Sequence, residues 1–175
     1  MVRLDLGCGA NPKEGFVGVD VRHYGRTDIV VADLRMTWKW EDSSVDEIYC
    51  SHFVEHLTAP ERIHFANELH RVLKPGASAE IITPHWASSR AYGDLTHQWP
   101  PVSPHWFLYL QRSWRETHAP HACDDYTCDL VATYGFRLDG HIIQRNQEHQ
   151  QFAAHYYTNA AEDLIATVTK PAEDA

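Results

Sequence analysis

The sequence predicts an α/β domain built on a mostly parallel sheet, and three observations predict it. Short β-prone runs recur through the first half and are joined by connections rather than by tight hairpin turns. The first run, Val2 to Leu6, ends in Gly7-Cys8-Gly9, a glycine turn of the kind that carries a ligand past a parallel strand's carboxyl end. One segment, Pro60 to Leu73, has apolar residues at Ile63, Ala66, Leu69, Val72 and Leu73, which is helical spacing.

Taken in order, Val2 to Leu6 is the first strand, closed by its glycines. Phe16 to Val21 is the second, with Asp20 at its carboxyl end. Ile29 to Ala32 is the third and runs into Asp33-Leu34, and Ser44 to Cys50 is the fourth, ending at Ser51-His52. The helix Pro60 to Leu73 has proline in its first turn and stops at Pro75-Gly76. Ala77 to Thr83 is the fifth strand, stopped by Pro84. Strand after strand with crossovers means parallel pairing through right-handed connections.

Residues 84 to 134 break this rhythm with five prolines and four of the six tryptophans. Helices are expected over Pro104 to Trp114 and over Asp124 to Tyr134, ended by Gly135. Two further strands are expected near Phe136 to Gln144 and Asp163 to Thr169, followed by a polar tail. With no repeat, linker or low-complexity tract, the simplest organisation is one domain, 1–175, with an insertion at 84–134.

A chain of 175 residues is long enough to bury a core without staples. The net charge of -9, from 15 Lys and Arg against 24 Asp and Glu, argues against a broad phosphate-binding surface and makes duplex DNA an unlikely partner. Four cysteines give no secreted disulfide framework. Arg3 and Asp5 interrupt the first apolar run, so it does not read as a signal peptide. No run approaches the roughly 20 apolar residues of a membrane span. A cytoplasmic protein is expected.

The glycine turn is incompatible with the usual dinucleotide fingerprint. That site needs a third glycine and a helix whose N-terminus receives the pyrophosphate. Here Pro12 stands at the third glycine position, and only ten residues separate Gly9 from Asp20. No Gly-Lys-Ser/Thr follows, so a phosphate-binding P-loop is absent as well. The ribose-binding part survives in Asp20. A cofactor with ribose and adenine but no phosphate fits, and a cationic one suits the acidic strand ends Asp5, Asp20 and Asp33.

These residues resemble the class I S-adenosylmethionine-dependent methyltransferases of the small type 11 kind. The resemblance is carried by Leu4-Asp-Leu-Gly-Cys-Gly9, Val17-Gly-Val-Asp20, Ala32-Asp33-Leu34, Tyr49-Cys-Ser-His-Phe-Val-Glu-His-Leu57 and Glu68-Leu-His-Arg-Val-Leu-Lys-Pro-Gly76, over residues 2 to 84. It implies a Rossmann-like, mostly parallel seven-stranded sheet and S-adenosyl-L-methionine as cofactor. By the same resemblance Gly7 and Gly9, with Cys8 between them, let the backbone approach the methionine part. Asp20, with Val21 beside it, takes the ribose hydroxyls, and Asp33 takes the adenine amino group near the Leu34 amide. Ser51 and His52 border the reacting methyl. The shortened first helix leaves the methionine carboxylate to Asn11, and Asp5 has the alternative task of holding the glycine loop through backbone amides.

The acceptor is expected in the 84–134 insertion. A hydroxyl or protonated amine needs a positioned base. His97 is the leading candidate, oriented by Asp94, with His85 second; the resemblance implies a similar Asp-x-x-His segment after the fifth strand. The chain lacks the Asn/Asp-Pro-Pro-aromatic and Pro-Cys motifs of DNA base methylation, so a small-molecule or nucleotide-like acceptor leads. Two metal-like patterns are read as decoys, and no metal is expected. His52-Phe-Val-Glu55-His56 straddles a strand end rather than lying in a helix. His118, His121, Cys123 and Cys128 lack the spacing of common zinc sites. The alternatives kept open are a non-catalytic binding module of this fold and a zinc-supported interaction domain.

Overall fold

The computed structural model describes residues 1–172, so the end of the polar tail lies outside the described residues. Seven strands form one sheet: β1 (Arg3–Leu6), β2 (Val17–Asp20), β3 (Ile29–Val31), β4 (Val45–Ser51), β5 (Leu73–Pro84), β6 (Val131–Leu138) and β7 (Ala161–Thr169). Their order is β3-β2-β1-β4-β5-β7-β6. β1 to β5 pair in parallel, and β7 is antiparallel to both β5 and β6. This is the mostly parallel, Rossmann-like sheet the sequence led us to expect. The winding reverses between β1 and β4, and open sheets bind ligands in the crevice at such a switch point.

β4 and β7 largely alternate in burial, which is unusual where parallel pairing dominates, because parallel sheets are commonly covered on both faces. Leu4, Leu6, Ile48, Cys50, Ala79, Ile81, Leu164, Ala166 and Val168 face one side and are almost fully buried. Helix α1 (Ala59–Val72) lies in the same core through Phe65, Ala66, Leu69 and Val72. On the opposite face Arg3, Glu47, Tyr49, Ser78, Glu80 and Thr167 keep contact with solvent. That face is knit by its own polar pairs, Arg3 with Glu47 at 2.6 Å and Lys13 over the Tyr49 ring at 3.6 Å.

Helix α1 forms where its spacing predicts. Pro60 sits in the first turn, and Glu61 turns back to accept from the Thr58 amide at 2.8 Å. Beyond β5 the observed elements depart from the sequence reading. The expected helix 104–114 is two helices, α3 (Pro104–Leu108) and α4 (Arg112–His118), after the short α2 (Arg90–Gly93). The chain breaks at Gln111 because the segment 129–130 competes for its backbone. The Leu110 carbonyl accepts from the Leu130 amide at 2.9 Å, and the Arg112 amide donates to Asp129 at 2.9 Å.

The expected helix 124–134 does not form. Asn67 Oδ1 accepts the Thr127 and Cys128 amides, and buried Arg115 donates to the Tyr126 and Cys128 carbonyls, which commits the backbone of 126–128 to partners outside a helical ladder. From Val131 the chain is already β6, so this strand starts earlier than expected and ends at Leu138. Residues 139–145 form turns, and α5 (Gln147–Tyr156), unforeseen, follows with Asn146 as its cap, Oδ1 accepting from the His149 amide at 2.9 Å. Phe107, Leu110, Tyr126, Cys128 and Leu130 of the 84–134 segment share the core cluster of the sheet.

Candidate active site

The turn after β1 is shaped by two close approaches. Gly7 has φ +69°, and a Cβ there would stand 2.7 Å from Phe53 Cβ and 2.6 Å from its Cγ, so only glycine fits. The Gly7 amide donates to the Val19 carbonyl at 2.8 Å, which ties the turn to β2. Cys8 packs its sulfur against Gly18 and Pro12, and burial with the nearby Asp5 and Asp20 carboxylates pushes its thiol up to about 11. Cys8 is a packing residue.

Asp20, 9% exposed, accepts from the Gly9 amide at 3.0 Å and from the Arg22 amide at 3.1 Å. Its carboxylate thus reaches across the turn and faces a cavity of about 250 Å³ walled by Gly7, Asp20, Val21, Asp33, Leu34 and Phe53, among others. Five of the expected cofactor residues, Gly7, Asp20, Val21, Asp33 and Leu34, therefore share one cavity, and Gly9 buttresses it. Ligand pockets typically run to roughly 300–1,000 Å³, so this one matches part of a cofactor rather than the whole.

Asp33 is not idle. Arg35 forks onto it, Nε to Oδ1 at 2.9 Å and Nη2 to Oδ2 at 2.7 Å, and holds its carboxyl down at about 2. Any group that hydrogen-bonds to those oxygens must share them with the guanidinium.

Three expected cofactor residues stand elsewhere. Asp5 is buried under the loop and accepts the Lys13 amide at 2.7 Å, which is the loop-holding task; burial pushes its carboxyl up against that bond. Asn11 is exposed, and neither Asn11 nor Ser51 lines this cavity.

A second cavity of about 750 Å³ adjoins the first, and His56 lines both. Its wall includes His52, Glu55, Arg90, Asp94 and His97. His52 has φ +54°, a conformation uncommon for a non-glycine residue. Its ring lies between two buried carboxylates, Nδ1 at 3.3 Å from Glu55 and Nε2 at 3.8 Å from Asp163. Asp163 on β7 in turn pairs with Arg137 at 2.6 Å and Arg90 at 3.3 Å.

The segments bearing Glu55-His56 and His97 are stapled together by Arg62 of α1. Its guanidinium, 5% exposed, donates to the carbonyls of Val54, Glu55, Gln98 and Pro100. The Gln98 amide also donates to the Glu55 carbonyl at 2.8 Å.

Two catalytic expectations are corrected. The Asp94 carboxylate is taken by the amide and hydroxyl of Thr96 at 2.8 and 2.7 Å; the His97 ring is instead held by the Ala91 carbonyl, 3.0 Å from Nδ1. His85 faces a different cavity with Trp86, Phe136 and His155, because β5 turns its ring onto the aromatic cluster of β6. There it is 1% exposed, accepts the Ala87 amide at 3.2 Å, and burial lowers its pKa.

His118, His121, Cys123 and Cys128 do not come together as a donor set. Among the described residues the one such set is Glu55, His56 and His97. Cys128 is fully buried, with its thiol pushed up to about 11 by burial. Among the described residues no helix is long and apolar enough to cross a membrane.

The sequence reading passed over Glu55 and His56 as part of a decoy, and missed Arg62, Thr96 and Asp163. Glu55 and His56 were visible as an acidic-histidine pair beside the fourth strand's end. Arg62 joins Val54 and Glu55 to Gln98 and Pro100, and Asp163 pairs with Arg137 and Arg90, so the distant half of each set leaves no local signal.

Residues 4–81 match the methyltransferase domain family. No curated protein matches the chain in sequence. Among solved structures, a SAM-dependent methyltransferase from Archaeoglobus fulgidus superposes with a TM-score of 0.66 at 19% identity, covering 96% of this chain and 85% of that one. A Galdieria sulphuraria protein assigned as a sarcosine dimethylglycine methyltransferase gives 0.58 at 16% identity, over 98% and 78%. The [4+2]-cyclase SpnF gives 0.56 at 17% identity, over 98% and 75%, so this fold also serves a reaction other than methyl transfer. At these identities the superpositions speak for the fold, and the family match covers residues 4–81, less than half of the chain. Together they give the whole chain the fold of the class I S-adenosylmethionine-dependent methyltransferases and make residues 4–81 similar to the methyltransferase domain family.

Proposed function

We propose that this chain transfers the methyl group of S-adenosyl-L-methionine to an oxygen or nitrogen atom of a small-molecule or nucleotide-like acceptor. The observation that carries the reading is the shared wall. The cavity of Gly7, Asp20 and Asp33 and the larger cavity of His52, Arg90 and His97 meet at His56. The first suits the adenosine half, with Asp20 for the ribose hydroxyls and Asp33 for the adenine. The second then holds the acceptor where the methyl emerges.

In the reaction an acceptor lone pair attacks the methyl carbon in line with the carbon–sulfur bond. That bond breaks toward sulfur and S-adenosylhomocysteine leaves, so positioning supplies much of the rate. The acceptor's proton passes to His97. Because a carbonyl can only accept, the Ala91 contact fixes the His97 proton on Nδ1 and leaves the Nε2 lone pair free to take another. The net charge of -9 supports a partner other than duplex DNA and, with no membrane-crossing helix among the described residues, a cytoplasmic setting is part of the same reading.

Calorimetry tests the cofactor half. Binding is expected, and Asp20→Ala should weaken it by about 2–3 kcal/mol, the loss of a charge-assisted hydrogen-bond pair. No binding at millimolar cofactor would sink the assignment. A screen with labelled cofactor over metabolite, nucleic-acid and protein fractions identifies the acceptor. On that acceptor His97→Ala should lower turnover and leave cofactor affinity unchanged; unchanged turnover removes His97 from the chemistry.

A further inference from the structure

The wall of the larger cavity holds two histidines whose bare nitrogens can be assigned. Thr96 Oγ1 gives its one proton to Asp94 at 2.7 Å, so at 3.0 Å it accepts from His56 Nδ1. The Ala91 carbonyl accepts from His97 Nδ1 at 3.0 Å. Each ring therefore carries its proton on Nδ1 and presents an unprotonated Nε2. This is how metal-ligating histidines are held, one nitrogen donating to an outer partner and the other left with its lone pair.

The rings stand edge to face with centroids 4.7 Å apart. Beside them Glu55 has a side chain only 4% exposed, and its Oε1 makes no hydrogen bond, although His52 Nδ1 lies 3.3 Å from it. Its Oε2 is accounted for by the Thr83 hydroxyl at 3.2 Å. One donor atom from each of Glu55, His56 and His97 falls within 4.8 Å of the others. Arg62 clamps the two backbone segments that present them.

We propose that Glu55, His56 and His97 bind one divalent transition-metal ion in the acceptor cavity. Two imidazoles and a carboxylate suit zinc, iron, nickel or cobalt rather than calcium or magnesium, which take oxygen ligands. Bonds of about 2.0–2.2 Å require the set to tighten around the ion. Three protein ligands leave positions open to the cavity. There an acceptor oxygen would meet the ion beside the wall shared with the cofactor cavity, a consequence that rests on the acceptor reading of this cavity, whereas ion binding does not. In the loaded protein His97 Nε2 is a ligand, and polarising the acceptor oxygen falls to the ion.

The test uses full-length protein without a His tag, stripped by chelator, dialysed and titrated with Co²⁺ under visible absorption. S-adenosylmethionine calorimetry and circular dichroism on the same samples report whether each variant is folded. One Co²⁺ per chain is expected, displaced by Zn²⁺. His56→Ala, His97→Ala and the isosteric Glu55→Gln should each weaken it at least tenfold. Thr96→Val, which frees the His56 ring, should weaken it by about tenfold. His118→Ala and His121→Ala should leave it unchanged. Failure of a cofactor-binding wild type to take up Co²⁺ overturns the proposal, as does uptake indifferent to Glu55→Gln and His97→Ala. A protein that binds Co²⁺ as expected but methylates nothing in the labelled screen would instead overturn the acceptor reading.

Discussion

Replacing Gly7 by alanine is expected to cost far more than replacing Gly9, although both glycines belong to the same turn and both have positive φ, +69° and +58°. An L-residue held in the left-handed region costs roughly 1–2 kcal/mol, and that is all Gly9→Ala should lose, since nothing lies within 4 Å of a Cβ built there. At Gly7 the new methyl overlaps Phe53, and one offending atom is Phe53 Cβ, 2.7 Å away and tied to its own backbone. A rotamer change cannot clear it, so an overpacking cost of about 1–3 kcal/mol adds to the backbone term. Gly7→Ala should therefore lose about 2–5 kcal/mol. With roughly 2–4 °C of Tm per kcal/mol for a chain of this size, its fall is on the order of 4–20 °C against about 2–8 °C for Gly9→Ala. Urea denaturation and thermal melts measure both. Phe53→Gly, which removes Cβ together with the ring, supplies the check: in that background Gly7→Ala should cost no more than Gly9→Ala, and the missing part is the coupling energy of the pair. Equal losses for the two glycines in the wild-type background, or no coupling to Phe53, would refute the account of the turn.

Arg62→Met removes a donor from four carbonyls, of which Val54 and Glu55 keep a backbone amide, and should lower stability by about 3 kcal/mol; chemical denaturation measures this, and turnover should fall with it because the Glu55 and His97 segments lose their staple. Asp33 has its folded pKa pulled below the usual 3.8 to about 2 by Arg35, so the pair's contribution is fully present above pH 4 and disappears as pH falls through 2. In Arg35→Ala the acid-unfolding curve between pH 4 and pH 2 should lose that component; an unchanged curve means the fork does not form in solution. Cys8, raised from 9.0 to about 11, should hold about a hundredfold less thiolate near pH 8 than an unshifted thiol, and iodoacetamide labelling read by peptide mass spectrometry should be correspondingly slow. Labelling at the rate of a free cysteine would place Cys8 outside its packed position.

What could be read in the sequence divides at Pro84, and the division is physical. Up to β5 each element is announced by signals within about ten residues: apolar runs, glycines at the turn, Pro60 opening the helix. The smaller cavity is built almost wholly from the ends of consecutive strands, so Gly7, Asp20 and Asp33 stand where local pattern marks a strand end, while Leu34 is named only through the family resemblance. Beyond Pro84 the structure is decided by partners distant in sequence. Arg115 and Asn67 take the hydrogen bonds of residues 126–128, and no pattern inside 124–134 reveals that its backbone is already committed. The helical reading there was locally reasonable and lost to tertiary competition.

The same logic explains the histidines. His97 stands out by residue type, but its orientation comes from the Ala91 carbonyl and not from Asp94, because Thr96 is closer and offers Asp94 two donors. Asp94 acts at one remove: by consuming the Thr96 proton it forces the His56 proton onto Nδ1. A carboxylate three residues before a histidine thus sets, through Thr96, the tautomer of a different histidine that lies forty residues from that threonine. Removing Asp94 should consequently disturb His56 before it disturbs His97, and the larger cavity's chemistry depends on both rings presenting Nε2 together.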